Sequence, residues 1–219
     1  MLPQSRLTGL TVRPLEAAEA PAILREATLG NLNWQGPRFE PSEIDRRPEF
    51  AHYTRLVLER GDFGVVTMPI ATLPTYEWAG AAWALHLPEQ DPGYGFVAEG
   101  IPEVSLHVLP RWRNRRVGRM LLHELHEEAR RRGLSALSLS VESGNPARQL
   151  YESMGYREAP TAAEGTMLLE LRAPGAWLSR SAPPPPPPPS GYPVALSGRT
   201  AQLSIHSARG QVVSVAYTT

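Results

Sequence analysis

Apolar residues follow two different spacings along this chain, and each spacing predicts a type of secondary structure. Every second residue is apolar in the segments 104–108 and 137–141, which predicts two strands that each bury one face. In residues 117–131 the apolar side chains instead recur three and four positions apart, which predicts an amphipathic helix that ends at Gly133. A strand, a turn, a helix and a second strand are therefore expected in the middle of the chain.

The flanking segments contain further elements of both kinds. The segment 17–29 is predicted to be a helix that ends at Gly30, and the segment 48–60 a second helix that ends at Gly61. Further on, Asn145 is a suitable N-cap for a short helix. Apolar runs without helical spacing predict the remaining strands, at 10–13, 63–68, 78–87, 156–159 and 166–171.

The composition of the chain changes after residue 172. Seven consecutive prolines at 183–189 favour a stiff polyproline II helix, and the strand-like stretches beyond them hold too little apolar surface for a core. We therefore expect residues 1–172 to form one domain and residues 173–219 to form a disordered tail. A proline-rich segment can also dock on an aromatic groove of a partner protein, which is the alternative role for this tail.

The composition also excludes several kinds of chemistry. The 219 residues include no cysteine, so disulfides, thiolate metal sites and a cysteine nucleophile are excluded. The 22 basic residues are all arginines and are balanced by 22 acidic residues, and this zero formal charge disfavours a general nucleic-acid-binding protein. Because no apolar run approaches the length of a membrane span and no signal-peptide core is present, we expect a soluble, cytoplasmic protein without membrane contact.

Arginines cluster in the turn that connects the first central strand to its helix, at positions 111, 113, 115, 116 and 119, without an acidic residue among them. The first amides of a helix have no intrahelical partner and lie at the positive end of the helix dipole, so this turn can bind an anion. Gly118 would let the backbone approach such a ligand closely. Several arginines together suit a ligand with more than one phosphate, although the same arginines can simply solvate a turn.

Two short sequence motifs follow one another in this region. The segment 113–118 has the sequence Arg-Asn-Arg-Arg-Val-Gly, and the segment 145–156, about thirty residues further on, has the sequence Asn-Pro-Ala-Arg-Gln-Leu-Tyr-Glu-Ser-Met-Gly-Tyr. Together they resemble the signature of the GNAT superfamily of N-acetyltransferases, Arg/Gln-x-x-Gly-x-Gly/Ala followed by Asn-x-Ala and Leu-Tyr-x-x-x-Gly-Phe. The chain departs from that signature at Arg116, which stands where the family has its first glycine. The resemblance covers roughly residues 8–172.

The resemblance implies both a fold and a ligand. The fold is the mixed α/β fold of acyl-CoA N-acyltransferases, with a mostly antiparallel, splayed central sheet flanked by helices. The ligand is acetyl-CoA, which serves as a co-substrate and is bound without a metal. Arg111 is an additional candidate for its phosphates. By resemblance, the residues expected to bind the coenzyme are Val108, Arg113, Asn114, Arg115, Arg116, Val117, Gly118, Arg119 and Asn145.

The resemblance also implies which groups carry out catalysis. Glu103, at the start of the central strand, is the expected base for the acceptor amine, and Glu99 is the alternative. The backbone amide of Val108 is expected to stabilise the oxyanion. Tyr151 matches the family tyrosine that protonates the leaving thiolate, although its position on an apolar helical stripe is also typical of a core residue.

The implied reaction is direct transfer of acetyl from acetyl-CoA to a primary amine of a small molecule or peptide, by a monomer or homodimer. The loop around Trp34 and a mobile loop at 88–102 are expected to wall the acceptor site, and the identity of the acceptor stays open. Arg116 favours an alternative, in which the chain binds CoA without catalysis and acts as a sensor or scaffold. Nucleic-acid binding through the arginines is a third alternative and predicts a steep salt dependence.

The six histidines do not suggest a metal site. His123 and His126 share a helix, but no third ligand has a suitable spacing. His86 and His107 lie on strands that can be neighbours, and either can line a pocket. Packed or solvated histidines are the simpler interpretation of both pairs.

Overall fold

A computed structural model describes residues 9–70 and 77–171, together with the backbone of residues 201–206 and 212–217. The first two ranges contain seven strands: β1 (Leu10–Pro14), β2 (Phe63–Pro69), β3 (Gly80–Leu85), β4 (Glu103–Val108), β5 (Ala136–Ser140), β6 (Arg157–Glu158) and β7 (Thr166–Glu170). They also contain five α-helices: α1 (Ala20–Leu32), α2 (Pro41–Arg46), α3 (Pro48–Ala51), α4 (Val117–Arg131) and α5 (Ala147–Ser153).

The seven strands form one sheet in the order β1-β2-β3-β4-β5-β7-β6. All neighbouring strands are antiparallel except β4 and β5, which run parallel. These two strands pair only where Glu103 lies beside Ser138, so the sheet is splayed beyond that point. The structure thereby confirms the predicted mixed α/β fold with a mostly antiparallel, splayed sheet flanked by helices.

Two apolar clusters cover the two faces of the sheet. In one cluster α4 packs through residues such as Leu121 against Val104 and its neighbours. In the other, α1 packs through Leu24 against Trp83 of β3. Because side chains alternate along a strand, β4 presents a different set of residues to each helix. The face toward α4 carries Val104, Leu106 and Val108, and the face toward α1 carries Glu103, Ser105 and His107.

Helix α1 extends further than its predicted end. It begins at Ala20, with Pro21 in its first turn, and continues past Gly30 to Leu32. The prediction that Gly30 ends the helix is therefore wrong. A Cβ atom at this position would lie only 2.2 Å from Cε1 of His107, so the glycine is needed where the helix passes close to β4.

The prediction of one long helix over residues 48–60 is also wrong. The short helices α2 and α3 are followed by 3₁₀ turns at His52–Thr54 and Leu58–Arg60. The backbone between these turns is extended at Arg55, with φ −147° and ψ 152°. Leu58, which lies within the predicted helix, is 56% exposed.

A buried carboxylate accounts for this irregular segment. Asp62 accepts hydrogen bonds from the amides of Val57 (2.9 Å) and His86 (2.8 Å), and it pairs with Arg60 (2.7 Å). The Val57 amide is thereby satisfied by a side chain five residues later instead of by a helical carbonyl. These tertiary hydrogen bonds override the helical spacing of the sequence.

The chain divides into two compact units, residues 1–178 and 179–219. In the second unit β8 (Ala201–His206) pairs antiparallel with β9 (Val212–Tyr217). The predicted polyproline helix at 183–189 lies outside the described residues. Within the part of the chain that the structure describes, no helix is both long and apolar enough to cross a membrane.

Candidate functional site

A cavity of about 1510 Å³ lies at the gap where β4 and β5 separate. Its walls come from β4, the turn before α4, the first turn of α4, helix α5, the end of α1 and the loop between β6 and β7. The cavity brings together all but one of the residues assigned to the coenzyme or to catalysis. Those that line it are Glu103, Val108, Arg113, Asn114, Arg116, Val117, Gly118, Arg119, Asn145 and Tyr151.

The turn before α4 has an unusual backbone at two positions. Asn114 and Arg116 have φ values of 59° and 62°, which place both residues in the left-handed region. Asparagine tolerates this region, whereas a residue such as arginine adopts it at a cost of about 1–2 kcal/mol. The position of Arg116 is the one where the signature has glycine. The backbone therefore keeps a conformation that suits glycine although the side chain is arginine.

The first turn of α4 presents amides without an intrahelical partner. Met120 N–H makes the first helical hydrogen bond, to the carbonyl of Arg116 (3.1 Å), so the amides of Val117, Gly118 and Arg119 precede it. The first turn contains no acidic residue that would compete for these amides. The positive end of the helix dipole therefore lies at the cavity, where it favours an anion.

Two of the arginines in the turn lie away from the cavity. Arg111 pairs with Glu77 at 3.3 Å, and the guanidinium of Arg115 stacks over the ring of Trp112 at 5.5 Å. Neither side chain lines the cavity. This placement departs from the expectation that Arg115, and in the alternative Arg111, contacts the phosphates of a ligand.

The other three arginines line the cavity, and each has different surroundings. Arg113 Nε donates to the carbonyl of Val108 (3.1 Å), and Arg119 Nη2 donates to Ser153 Oγ (2.7 Å). The side chain of Arg116 is exposed, lines the cavity and makes no hydrogen bond or ion pair within the described residues. Its charge is therefore not neutralised by a protein partner there and is available to a ligand.

Gly118 lies where α4 packs closely against its neighbours. A Cβ atom at this position would lie 3.0 Å from Cδ2 of Leu150 and 3.4 Å from Cδ2 of Leu106. The helix start therefore approaches both α5 and β4 more closely than a larger residue would allow. This close approach fixes where the free amides of the first turn lie relative to β4.

The backbone of Val108 is directed toward the gap in the sheet. Leu109 N–H donates to the carbonyl of Ala79, which precedes β3 (3.0 Å). Successive residues of a strand turn their backbone polar groups to opposite sides, so the N–H and C=O of Val108 point away from β3. Since Arg113 already bonds that carbonyl, the N–H of Val108 is the group left to face a ligand in the gap.

Helix α5 contributes a tyrosine to the cavity, and the turn before the helix contributes an asparagine. Tyr151 is buried and packs edge-on against Tyr156, and burial raises the pKa of Tyr151 to about 12. Its hydroxyl has no hydrogen-bond partner in the ranges the structure describes, so a protonated donor is available at the cavity. Asn145 Oδ1 accepts a hydrogen bond from the Ala147 amide (2.9 Å), which satisfies a free amide at the start of the helix.

Glu103 lies in a buried environment at the opposite end of β4. Tyr53 Oη–H donates to its Oε1 (2.7 Å), whereas its Oε2 is buried without a hydrogen-bond partner. Burial raises the pKa of Glu103 to about 7, although hydrogen bonds from Tyr53 and the Gly95 backbone act in the opposite direction. A carboxyl group that titrates near neutral pH is suited to accept a proton during catalysis.

The loop that precedes β4 packs tightly over this carboxyl group. A Cβ atom on Gly93 would lie 2.0 Å from Oε2 of Glu103, and the amide of Tyr94 donates to Tyr53 Oη (2.8 Å). A Cβ atom on Gly95 would lie 2.4 Å from the backbone of β5. The loop at 88–102, predicted as a mobile edge, is therefore held against the sheet at these two glycines.

Two other predicted candidates lie outside the cavity. Glu99 is exposed, and its carboxylate accepts a hydrogen bond from the Glu89 amide (3.4 Å). His86 lies beside Asp62, with Nδ1 3.8 Å from Oδ1 of the aspartate. In residues 9–70 and 77–171, no group of three or more histidine or acidic side chains is arranged to hold a metal ion.

His107 lines the cavity on the face of β4 that also carries Glu103. Its Nδ1 lies 2.9 Å from Oδ1 of Asn31, which follows Gly30 in the last turn of α1. Burial, together with the charge of Arg113, lowers the pKa of His107 to about 4. The imidazole is therefore neutral at physiological pH.

An ion-pair cluster connects two walls of the cavity. Arg38, in the loop after α1, pairs with Glu142, in the connection between β5 and α5 (2.8 Å). Trp34 Nε1 donates to the other oxygen of the same carboxylate. Trp34 also lines the cavity. These contacts tie the loop after α1 to the other half of the sheet.

Three of these residues were missed by the sequence analysis, namely Tyr53, Asn31 and Glu142. Tyr53 lies within the helix predicted at 48–60, and its hydroxyl meets Glu103 across fifty residues of sequence. The contacts of Asn31 and Glu142 span 76 and 104 residues. Neither local spacing nor residue type gives a signal for such distant partners.

The sequence of this region matches a known family model. Residues 79–158 match the model described as an acetyltransferase (GNAT) domain. The matched segment runs from the start of β3 to β6, so it includes the arginine turn and the Asn145–Tyr156 motif. No curated protein matches the chain in sequence.

Solved structures of acetyltransferases are similar to this chain in fold. A GNAT acetyltransferase of Staphylococcus aureus is 12% identical, with a TM-score of 0.54 over 74% of this chain and 99% of that chain. The structure of yncA from Salmonella typhimurium with its cofactor acetyl-CoA is 22% identical, with a TM-score of 0.51 over 77% and 98%. The PaiA N-acetyltransferase of Thermoplasma acidophilum, in complex with coenzyme A, is 15% identical, with a TM-score of 0.52 over 74% and 99%. At these identities the similarity establishes the fold.

Proposed function

Because residues 79–158 match a model of the GNAT acetyltransferase domain, we propose that this chain belongs to that superfamily and transfers the acetyl group of acetyl-CoA directly to a primary amine of a small molecule or peptide. The observation that carries the proposal is the single cavity at the splayed strands. It joins the unpartnered amides of α4 to the N–H of Val108 and to Tyr151. Phosphate recognition and acyl-transfer groups therefore meet in one place.

In this proposal the start of α4 forms a cradle that binds the pyrophosphate of the coenzyme. The amides of Val117, Gly118 and Arg119 donate to phosphate oxygens, and the helix dipole adds a favourable field. Arg116 has no protein partner in the described ranges, so it is the side chain best placed to add charge. Asn114 and Arg113 complete this wall of the cavity, and Asn145 lines the opposite one.

The acetyl group lies beside the end of β4, where three chain groups act on the reaction. The amine nitrogen attacks the thioester carbonyl carbon, and the N–H of Val108 stabilises the negative charge that develops on the carbonyl oxygen. The carbon–nitrogen bond forms as the carbon–sulfur bond breaks, and the electron pair leaves on sulfur. Tyr151 donates its hydroxyl proton toward that sulfur.

Glu103 takes the proton that the amine loses. Its pKa of about 7 lets it exist as a carboxylate near neutral pH and still hold the proton after transfer. Since its free oxygen is sealed by Gly93 and lies far from Val108, we expect the proton to travel along a chain of water molecules, with a small movement of the loop at 88–102. Glu99 is not retained as a candidate because it lies outside the cavity.

The second candidate function is a CoA-binding sensor or scaffold without catalysis, with the proline-rich tail as a partner ligand. Arg116 in place of glycine is the observation that favours it, because this side chain can obstruct a pyrophosphate. The left-handed backbone of Arg116 favours the enzyme, since the turn keeps a conformation that glycine would adopt. We assign either activity to residues 1–172.

Calorimetric titration of the full chain with acetyl-CoA, and separately with dephospho-CoA, tests the binding step. We expect acetyl-CoA to bind and dephospho-CoA to bind more weakly, because the cavity arginines contact the ribose phosphate that only the first ligand carries. If neither ligand binds, the proposed cradle is contradicted. A screen of primary amines for CoA release then separates the two candidates, since the sensor binds acetyl-CoA without releasing CoA in the presence of any amine.

A further inference from the structure

The accessible polar group nearest to the reacting end of β4, on the face toward α1, belongs to His107. His107 immediately precedes Val108, whose N–H faces the gap, whereas Glu103 lies five residues earlier, about 16 Å along an extended strand. Both side chains project from the face of β4 that is turned toward α1. An amine that attacks a carbonyl held at Val108 therefore reaches His107 before it reaches Glu103.

The two side chains differ in which atoms a ligand can reach. Oε2 of Glu103 is enclosed and has no hydrogen-bond partner. Nε2 of His107 also makes no hydrogen bond within residues 9–70 and 77–171, but it is not among the enclosed atoms, and the ring lines the cavity. The imidazole therefore presents an accessible nitrogen where the carboxyl group does not.

The contacts of the ring fix its orientation and its tautomer. Nδ1 lies 2.9 Å from Oδ1, the side-chain oxygen of Asn31. An amide oxygen can only accept a hydrogen bond, so the ring proton resides on Nδ1. Nε2 is then left with a lone pair. Gly30 gives the ring its space, since a Cβ atom there would lie 2.2 Å from Cε1. Helix α1 thus provides both the partner and the gap that hold the imidazole in one position.

We propose that His107 binds the acceptor amine, with Nε2 accepting a hydrogen bond from the amine nitrogen and directing its lone pair toward the acetyl carbonyl. The proposal rests on the proposed acetyltransferase function and extends it, because it assigns the binding of the nucleophile to a residue that none of the motifs includes. Glu103 keeps the separate task of receiving the proton.

A neutral imidazole suits this task. The ring faces Asn31 and Gly30 of α1 and lies 5.9 Å from the ring of Trp78, and the charged group that acts on it is Arg113. Burial and this positive charge keep the pKa of His107 low, at about 4. Nε2 therefore remains an acceptor throughout the physiological range and does not repel an incoming ammonium group.

Two CoA derivatives test the proposal without knowledge of the natural acceptor. In the first, the sulfur carries an N-methylacetamide group, whose amide N–H stands in for the amine. In the second, the amide is N,N-dimethylated and has no N–H. We expect the full chain to bind the first about tenfold more tightly than the second, because one hydrogen bond and a few contacts differ. In His107→Ala this preference should shrink to about the steric difference between the probes.

Two further variants distinguish a direct contact from a general loss of structure. His107→Gln retains an oxygen that can accept a hydrogen bond, and it should restore part of the preference. Gly30→Ala touches neither probe but displaces the imidazole, so it should lower the preference while leaving the affinity for acetyl-CoA unchanged. His123→Ala is the control for removal of an exposed histidine and should keep the full preference.

The outcomes separate this proposal from the proposed function. If acetyl-CoA binds and His107→Ala keeps the preference of the unmodified chain, His107 does not bind the amine, and the cradle is unaffected. The same conclusion follows if acetyl-CoA binds but neither derivative does, because the position beside His107 is then closed to an amide. If acetyl-CoA itself does not bind, the proposed function fails, and this proposal fails with it.

Discussion

The two ends of the cavity present different kinds of polar groups. At the start of α4 the polar groups are backbone amides and exposed arginines, and Arg116 lacks a protein partner within the described residues. Around Glu103 and His107 the polar groups are buried, and each is held by a specific neighbour, Tyr53 or Asn31. One end therefore depends on the position of the backbone and on net charge, and the other depends on individual hydrogen bonds.

This difference predicts how strongly a substitution at each end should affect the protein. Exposed charges in water contribute little individually, so losing one arginine should weaken a phosphate site only modestly. A buried polar group that loses its partner costs more, because its desolvation is no longer offset. Substitutions at the buried end, or substitutions that move the backbone of the exposed end, should therefore have the larger effects.

Gly118→Trp should have the largest effect. The indole would clash with Leu150 and Leu106 and displace the first turn of α4, so acetyl-CoA affinity should fall by more than about a thousandfold in a calorimetric titration. Gly118→Ala is the matched control, since Leu150 can shift by a few tenths of an ångström to accept one methyl group. Far-UV circular dichroism verifies that both variants fold. A folded Gly118→Trp protein with unchanged affinity would refute the cradle.

Glu103→Gln should lower turnover by about a hundredfold or more, because the amide cannot accept the proton from the amine. In the unmodified chain the rate should rise with pH through about pH 7, as the carboxyl ionises, and this limb should disappear in the variant. Steady-state rates with any amine that the screen identifies measure both effects. If the rate of Glu103→Gln still rises with pH through about pH 7, a different group is responsible for that rise.

The same substitution tests burial without any substrate. The pKa of Glu103 is about 7 in the folded state against 4.5 for the free side chain, so between these values the folded state binds a proton that the unfolded chain lacks. Unfolding free energy should therefore fall with rising pH across this window, by about 3 kcal/mol at most. Glu103→Gln removes this contribution, so urea denaturation should show it gaining stability relative to the parent between about pH 5 and about pH 8. A parallel pH dependence in both proteins would mean that the carboxyl group is solvated.

Tyr151→Phe should lower turnover by about tenfold to a hundredfold and leave the affinity for acetyl-CoA nearly unchanged, because only the proton donor to sulfur is lost. Tyr156→Phe is the matched control. The Tyr156 hydroxyl is bonded to His126 (3.1 Å), so its loss should lower stability and leave turnover intact. An undiminished rate in Tyr151→Phe would make this tyrosine a core residue.

Arg116→Gly should have the smallest effect and should sharpen the view of the exposed end. Glycine relieves the left-handed backbone at φ 62°, so stability should rise by up to about 1 kcal/mol, while loss of the charge should weaken acetyl-CoA binding about threefold. Arg115→Ala removes a charge that lies over Trp112, outside the cavity, and should leave affinity unchanged. Tighter binding by Arg116→Gly would show that the arginine obstructs the ligand.

Sequence reasoning succeeded where the relevant information is local. The helix predicted after the arginine turn corresponds to α4, because its apolar stripe and its partner strands are adjacent in sequence. The helix predicted at 48–60 failed because Asp62 accepts hydrogen bonds from the Val57 amide and from the amide of His86, which directly follows β3. Gly30 was misread for a related reason, since its small size serves His107 on β4.

The candidate site divides in the same way. The presence of the arginine turn and of Tyr151 at the cavity was predictable, because each lies within a short sequence motif. The side chains of Arg111 and Arg115 were not, because Glu77 and Trp112 decide where they point. Tyr53 could not be assigned to Glu103 at all, since the pair is fifty residues apart in the chain.

By itself the sequence determined most of the strands and helices, the position of the arginine turn and the resemblance to a family, because spacing, capping and motif residues act over a few positions. Only the tertiary structure decided which carboxyl group is buried at the cavity, which arginine of the turn lacks a protein partner among the described residues, and which histidine reaches the cavity. These properties depend on desolvation and on hydrogen bonds between distant segments. Such contacts exist only once β4 lies between α1 and α4.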